Sequence, residues 1–181
     1  MRGLRGWAIL AVWIPAHPTF ASDHNIEAYA GPSYAGVFGS FRQAGGVQGS
    51  IAYGPLKSYS WNLVGDIGRH AVSLGGDDVE QTSSMFGLRW MLKGRKDPSL
   101  PPARKWLPFV QVVGGVIERR QNDKDRTAGA VAFGAGLDRI RRSGRKDEPG
   151  WRVLQVDYVV VGSGLPDALR VSTGFVYRWS E

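Results

Sequence analysis

Seven ionisable residues draw attention by type and position: Glu27, Asp66, Asp138 and Asp157, with Arg89, Arg170 and Arg178. Each lies in a stretch where apolar and polar residues alternate, on the face opposite the apolar one. Successive side chains of a β-strand point to opposite faces, so such charges meet in a shared interior if the strands close around one. A buried charge without a partner is strongly destabilising, and mixed carboxylates and guanidiniums avoid that by pairing. The chemistry expected of this set is therefore a salt-bridged plug, with Glu27 and Arg178 meeting between the first and last strands. A narrow ion or small-solute channel gated by the same charges is the functional alternative.

Catalysis has less to stand on. After residue 21 only His24 and His70 remain as histidines. His70 with Ser73 can be drawn as a dyad near Asp77 and Asp78, which keeps a lipid-modifying enzyme as a further alternative. The stretch is expected to be a solvated loop, so no catalytic residue is assigned and no enzyme is expected. Phosphate-binding loops, zinc spacings and calcium loops are absent, and neither metal nor cofactor is expected.

The elements that must position the charges are read from period-two alternation. Leu169, Val171, Thr173, Phe175, Tyr177 and Trp179 share one face; Arg170, Ser172, Gly174, Val176 and Arg178 share the other. Seven more such segments precede it: Ile26–Tyr34, Gly46–Gly54, Tyr59–Gly68, Gln81–Lys93, Lys105–Arg119, Thr127–Ile140 and Trp151–Gly162. The last runs Ala168–Trp179. Each reaches about the 9–11 residues that a tilted strand needs to cross a bilayer, and some are longer. Trp61, Leu63 and Ile67, then Phe86, Leu88 and Trp90, then Val110, Val112 and Val116 are expected outside. Leu154, Val156, Tyr158 and Val160 set the seventh strand, which leaves Trp151 on the inward parity and Arg152 on the outward one. The prediction is an all-β, eight-stranded, antiparallel up-and-down transmembrane β-barrel, an even strand number suiting a bacterial single-chain barrel.

Aromatic placement supports it. With the first strand running outward from the periplasm, Trp61, Trp90, Trp106, Trp151 and Trp179 all fall at one interface, with Tyr53 and Tyr177 beside them. Indole and phenol rings favour headgroup depth, where the ring is apolar and the N–H or O–H stays wet. Connections expected outside are 35–45, 69–80, 120–126 and 163–167. Those expected on the periplasmic side are 55–58, 94–104 and 141–150, the last two basic.

The first 21 residues read as a cleaved signal peptide: Arg2 and Arg5, an apolar core from Trp7 to Ile14, and small residues at Thr19 and Ala21. The barrel domain is then 22–181. Losing two arginines takes the formal charge from +7 to about +5. An exported chain without cysteine needs a stabilising device other than disulfides, and a closed sheet with no free edge is one. The basic residues collect in turns without interleaved aromatics, so no nucleic-acid partner is expected.

Ser172-Thr173-Gly174-Phe175-Val176-Tyr177-Arg178-Trp179 is similar to the polar-x-Gly-x-x-aromatic-x-aromatic signal of outer-membrane barrels. Phe133–Asp138 and Leu154–Val159 resemble strands of the same group. On these segments the chain resembles the outer-membrane protein A-type family of eight-stranded barrels, small porin-like proteins of the Gram-negative cell envelope. The resemblance implies an outer-membrane location and a structural or surface-interaction role. It implies recognition by the barrel-assembly machinery through Ser172, Gly174, Tyr177 and Trp179. Outer-membrane lipids surround such a barrel, an extracellular ligand would meet its outer loops, and the expected state is a monomer.

Overall fold

The computed structural model describes residues 24–37, 43–55, 61–74, 77–92, 104–121, 124–141, 147–162 and 165–180. Eight strands make up nearly all of them: β1 (His24–Val37), β2 (Gln43–Pro55), β3 (Trp61–Leu74), β4 (Asp77–Met91), β5 (Arg104–Gln121), β6 (Lys124–Arg141), β7 (Asp147–Val161) and β8 (Ala168–Ser180). Each pairs antiparallel with its sequence neighbours, and β1 pairs with β8, closing the barrel. Closure leaves no unpaired edge, which suits a chain that crosses a medium without hydrogen-bond partners. The expected signal peptide lies outside the described residues, as do 56–58, 94–103 and 142–146 of the expected turns; residues 147–150, expected in the last of these turns, are instead the paired start of β7.

The strands outrun their expected ends. β3 continues to Leu74 and β4 starts at Asp77, so the expected loop 69–80 is mostly barrel wall. Likewise β5 runs to Gln121 and β6 begins at Lys124, which turns most of the loop expected at 120–126 into paired strand. Backbone pairing persists there after the apolar alternation has faded, because a hydrogen-bonded ladder does not depend on side-chain polarity.

One break of register reshapes the wall. The β6–β7 and β7–β8 ladders both shift between Arg152 and Gln155. Val153 and Leu154 consequently both face outward, 40% and 46% exposed. Two consecutive residues on one face mark a β-bulge, which reverses the parity of everything before it. Trp151 is therefore outward and Arg152 inward, the opposite of the expected assignment. The bulge also removes the cost of an arginine on the lipid face.

The seam between β1 and β8 depends on glycine. A Cβ on Gly174 would lie 2.4 Å from the Ala30 carbonyl oxygen and 2.5 Å from the Gly31 Cα. One on Gly31 would lie 1.9 Å from the Thr173 oxygen. The two backbones approach closely beside Pro32, where the ladder skips from Ala30–Phe175 to Ser33–Ser172. Only residues without side chains fit this approach.

Candidate functional site

Each strand directs every second residue into the lumen, so the interior is written by the minor periodicity of the sequence. Glu27, Asp66, Arg89, Asp138, Asp157, Arg170 and Arg178 are all buried there. Glu27 is the hub of the half nearer the strand ends His24 and Ser180. Its Oε1 accepts from Arg152 Nη2 at 2.7 Å and from Arg89 Nη1. Its Oε2 accepts from Arg178 Nε at 2.7 Å, across the β1–β8 seam. Asp138 accepts from Arg152 Nε at 2.8 Å and from Arg178 Nη2 at 3.0 Å.

A second group lies farther along the lumen. Arg170 donates to Asp66 Oδ1 at 2.9 Å and to Asp157 Oδ2 at 2.9 Å. Gln48 donates to the other oxygen of Asp66 at 2.5 Å. Two glutamines join the halves. Gln111 accepts from Arg89 at 2.9 Å and donates to Asp157 at 2.9 Å; Gln155 accepts from Arg152 at 2.8 Å and donates to Asp157 at 2.8 Å. Four guanidiniums thus pair with four carboxylates in one connected network. The charges cancel, which is the condition under which ions survive out of water.

Aromatic rings fill the gaps between the ions. Arg89 and Arg152 both stand over the Phe109 ring, their guanidinium carbons 4.6 and 4.5 Å from its centroid. Arg152 also stands 4.3 Å from the Tyr29 centroid. Apolar clusters flank the polar layer: Tyr29, Leu107, Ile140 and Val176 in one, Val64, Met85, Val113, Ile117 and Val159 with several alanines in the other. Because Glu27 on β1 holds Arg89 on β4 and Arg152 on β7, the bonds span the lumen rather than hug its wall.

Arg152 is the central residue that sequence reasoning missed, since it was expected outside. The signal was present in Trp151, whose inward parity conflicted with the aromatic ring. His70 was also misplaced. It is buried in the barrel wall, not in a solvated loop, and hydrogen-bonds with Ser33 of β1. That pair links residues 37 apart in sequence, on β1 and β3, and is unrelated to the Ser73 dyad.

The outward aromatics form a course around one end. Trp61 and Trp90 are register partners, and Arg139 lies between Trp106 and Trp151 in the ladders. Tyr53, Trp90, Trp106, Trp151 and Tyr177 are exposed, whereas Trp61 and Trp179 are half-buried. Tyr177 and Trp179 pack with ring centroids 5.7 Å apart. Of the expected assembly signal, Ser172 faces the lumen and Gly174 sits at the seam, while Tyr177 points outward. Between this course and the far end, Val47, Ile51, Ile67, Phe86, Val112, Val131, Phe133 and Phe175 expose apolar surface that water would penalise. Beyond that band come the exposed pairs Arg69–Glu80 at 2.5 Å and Arg120–Asp125 at 3.1 Å. With Thr82, Glu118, Arg119 and Thr127, residues of these pairs border a depression of about 320 Å³.

A closed, sequentially paired eight-stranded barrel with charges inside and apolar residues outside has the fold of the outer-membrane β-barrels of Gram-negative bacteria. Among solved structures it is similar to Neisserial surface protein A, with a TM-score of 0.59 and 12% identity over 86% of this chain and 96% of that one. The attachment invasion locus protein Ail of Yersinia pestis gives a TM-score of 0.47 at 12% identity, over 87% of this chain and 99% of that one. The N-terminal barrel of Pseudomonas aeruginosa OprF gives 0.46 at 12%, over 87% and 98%. No protein-family profile matches the sequence, and no curated protein does.

Proposed function

We propose that the protein resides in the bacterial outer membrane as a monomeric, non-enzymatic barrel whose lumen is a structural plug and whose outer end meets an extracellular ligand. The observation that carries this reading is the neutral network spanning the lumen, which leaves stability, not transport, as the work of the interior charges. Ser33 and His70 belong to that packing and have no third catalytic partner among the described residues. Outer-membrane lipids cover the apolar band, and the aromatic course marks the periplasmic interface. The Ser172, Gly174, Tyr177 and Trp179 pattern is the segment offered to the assembly machinery. The polar extensions of β3–β6 stand above the membrane, where an outer ligand would make contact; the likeness to a Neisserial surface protein supports this use.

Planar-bilayer recordings test the plug. Wild type and Arg178→Ala are both expected to show no channel steps, because Phe109, Arg152 and Tyr29 still fill the section after Arg178 is shortened. Regular conductance steps in wild type would establish the channel reading instead. Orientation is tested separately, using a chain that has no native cysteine. Asp125→Cys should react with a membrane-impermeant maleimide on intact cells, and Arg141→Cys only after permeabilisation. The reverse pattern would invert the proposed topology.

A further inference from the structure

A groove lies on the outside of the barrel, beside the β7 bulge. Just toward the strand ends from that bulge, Arg139, Ile140, Arg141, Pro149, Gly150, Trp151 and Phe175 surround this space of about 370 Å³. Gly150 contributes no side chain, and a Cβ there would run into Ile140 Cδ1 at 2.3 Å and the Arg139 oxygen at 2.8 Å. The walls are apolar apart from the two arginines. Trp151 is held in place, its indole N–H donating to Thr173 Oγ1 at 3.1 Å, and that hydroxyl donates in turn to the Arg152 oxygen at 2.8 Å. Arg139 is held as well, its guanidinium carbon 5.5 Å from the Trp106 centroid.

We propose that this groove binds an anionic phospholipid of the periplasmic leaflet, its phosphate between Arg139 and Arg141 and its first acyl methylenes against Trp151 and Phe175. The proposal rests on the outer-membrane placement above. At this depth an apolar groove faces acyl chains rather than water, so its occupant is lipid. Two exposed guanidiniums at headgroup level then favour a lipid with net negative charge, since zwitterionic headgroups gain little from them. Guanidinium planes also match phosphate oxygens in bidentate geometry, which lysines do not. Trp106 and Trp151 flank Arg139 in the ladders, which fixes the groove at the interfacial aromatic course.

The test is native mass spectrometry of the detergent-folded barrel, titrated with dioleoyl phosphatidylglycerol or dioleoyl phosphatidylethanolamine. Wild type is expected to retain one phosphatidylglycerol in preference to phosphatidylethanolamine. R139Q/R141Q should weaken phosphatidylglycerol retention about twentyfold, at roughly fivefold per arginine, and leave phosphatidylethanolamine unchanged. R69Q/R120Q removes two arginines from the opposite end and should leave both lipids unaffected. Equal retention of the two lipids by wild type, or loss of phosphatidylglycerol in R69Q/R120Q but not in R139Q/R141Q, overturns the groove. Heat-modifiable migration on SDS gels separates the two layers of inference. A chain that never forms a heat-modifiable barrel in detergent defeats the membrane placement itself; a folded barrel without lipid preference defeats only the groove.

Discussion

Glu27→Ala is expected to destabilise the barrel by about 3–5 kcal/mol, the range for removing one partner from a buried ionic cluster. Three guanidiniums, those of Arg89, Arg152 and Arg178, converge on the two oxygens of this one carboxylate. Without it the lumen holds four arginines against three carboxylates and acquires a net positive charge. Asp138 can still serve Arg152 and Arg178, but Arg89 keeps no hydrogen-bonded carboxylate among the described residues, only Gln111, the distant Ser50 hydroxyl at 3.4 Å and the Phe109 ring. Urea unfolding in detergent or vesicles, followed by tryptophan fluorescence, measures the loss.

Two companion variants separate charge from shape. Glu27→Gln preserves the volume and one acceptor but removes the charge, so it should fall between wild type and Glu27→Ala. Combining Glu27→Gln with Arg178→Gln restores neutrality, and the pair should cost less than the sum of its parts. A change below about 0.5 kcal/mol for Glu27→Ala would mean that water reaches the network and screens it, as at exposed ion pairs. That result would also weaken the plug reading, because a wetted lumen is the beginning of a pathway.

The residues that were legible in the sequence and those that were not divide along a physical line. Val110 and Val112, or Phe86 and Trp90, announce their strands because lipid demands an apolar residue at every second position. Asp66, Asp157 and Arg170 follow from the same parity. Above the lipid that demand ceases. Arg69 and Glu80 are outward strand residues, yet nothing in their polarity, or in that of His70 between them, distinguishes them from a solvated loop. Its partner Ser33 emerges only once the registers β1–β2 and β2–β3 are known, with Gly46 the common neighbour of both. Arg152 failed for another reason. Regular parity from Leu154 back to Arg152 does not survive the bulge, because one inserted residue reverses every assignment beyond it. Arg152 and Gln155, three apart and both inward, cannot coexist in a regular strand, whereas the apolar pair Val153-Leu154 is what a bulge on a lipid-facing wall permits.

Phe86→Arg is expected to cost about 2–4 kcal/mol of folding free energy in lipid vesicles, the range for arginine on the lipid face near the bilayer midplane. Phe86 is 63% exposed, with Gly65 and Gly114 as its register neighbours on β3 and β5, so no adjacent side chain could shelter a guanidinium there. Four residue steps separate it from Trp90. At about 3.4 Å per residue and a tilt near 45° they rise about 10 Å from the aromatic course, close to the middle of an apolar band about 25 Å tall. Thr82 is exposed on the same face, four residues farther out and beside Glu118 in register. Thr82→Arg should therefore cost only about 0–1 kcal/mol, as expected near an interface. Equilibrium folding into vesicles, read by tryptophan fluorescence, compares the two. In water the order would reverse, since replacing an exposed phenylalanine by arginine removes apolar surface without burying charge. The difference between two chemically similar surface changes on one strand thus measures the depth of the medium itself. A reversed order, with Phe86→Arg the milder change, would place the outer face of β4 in water.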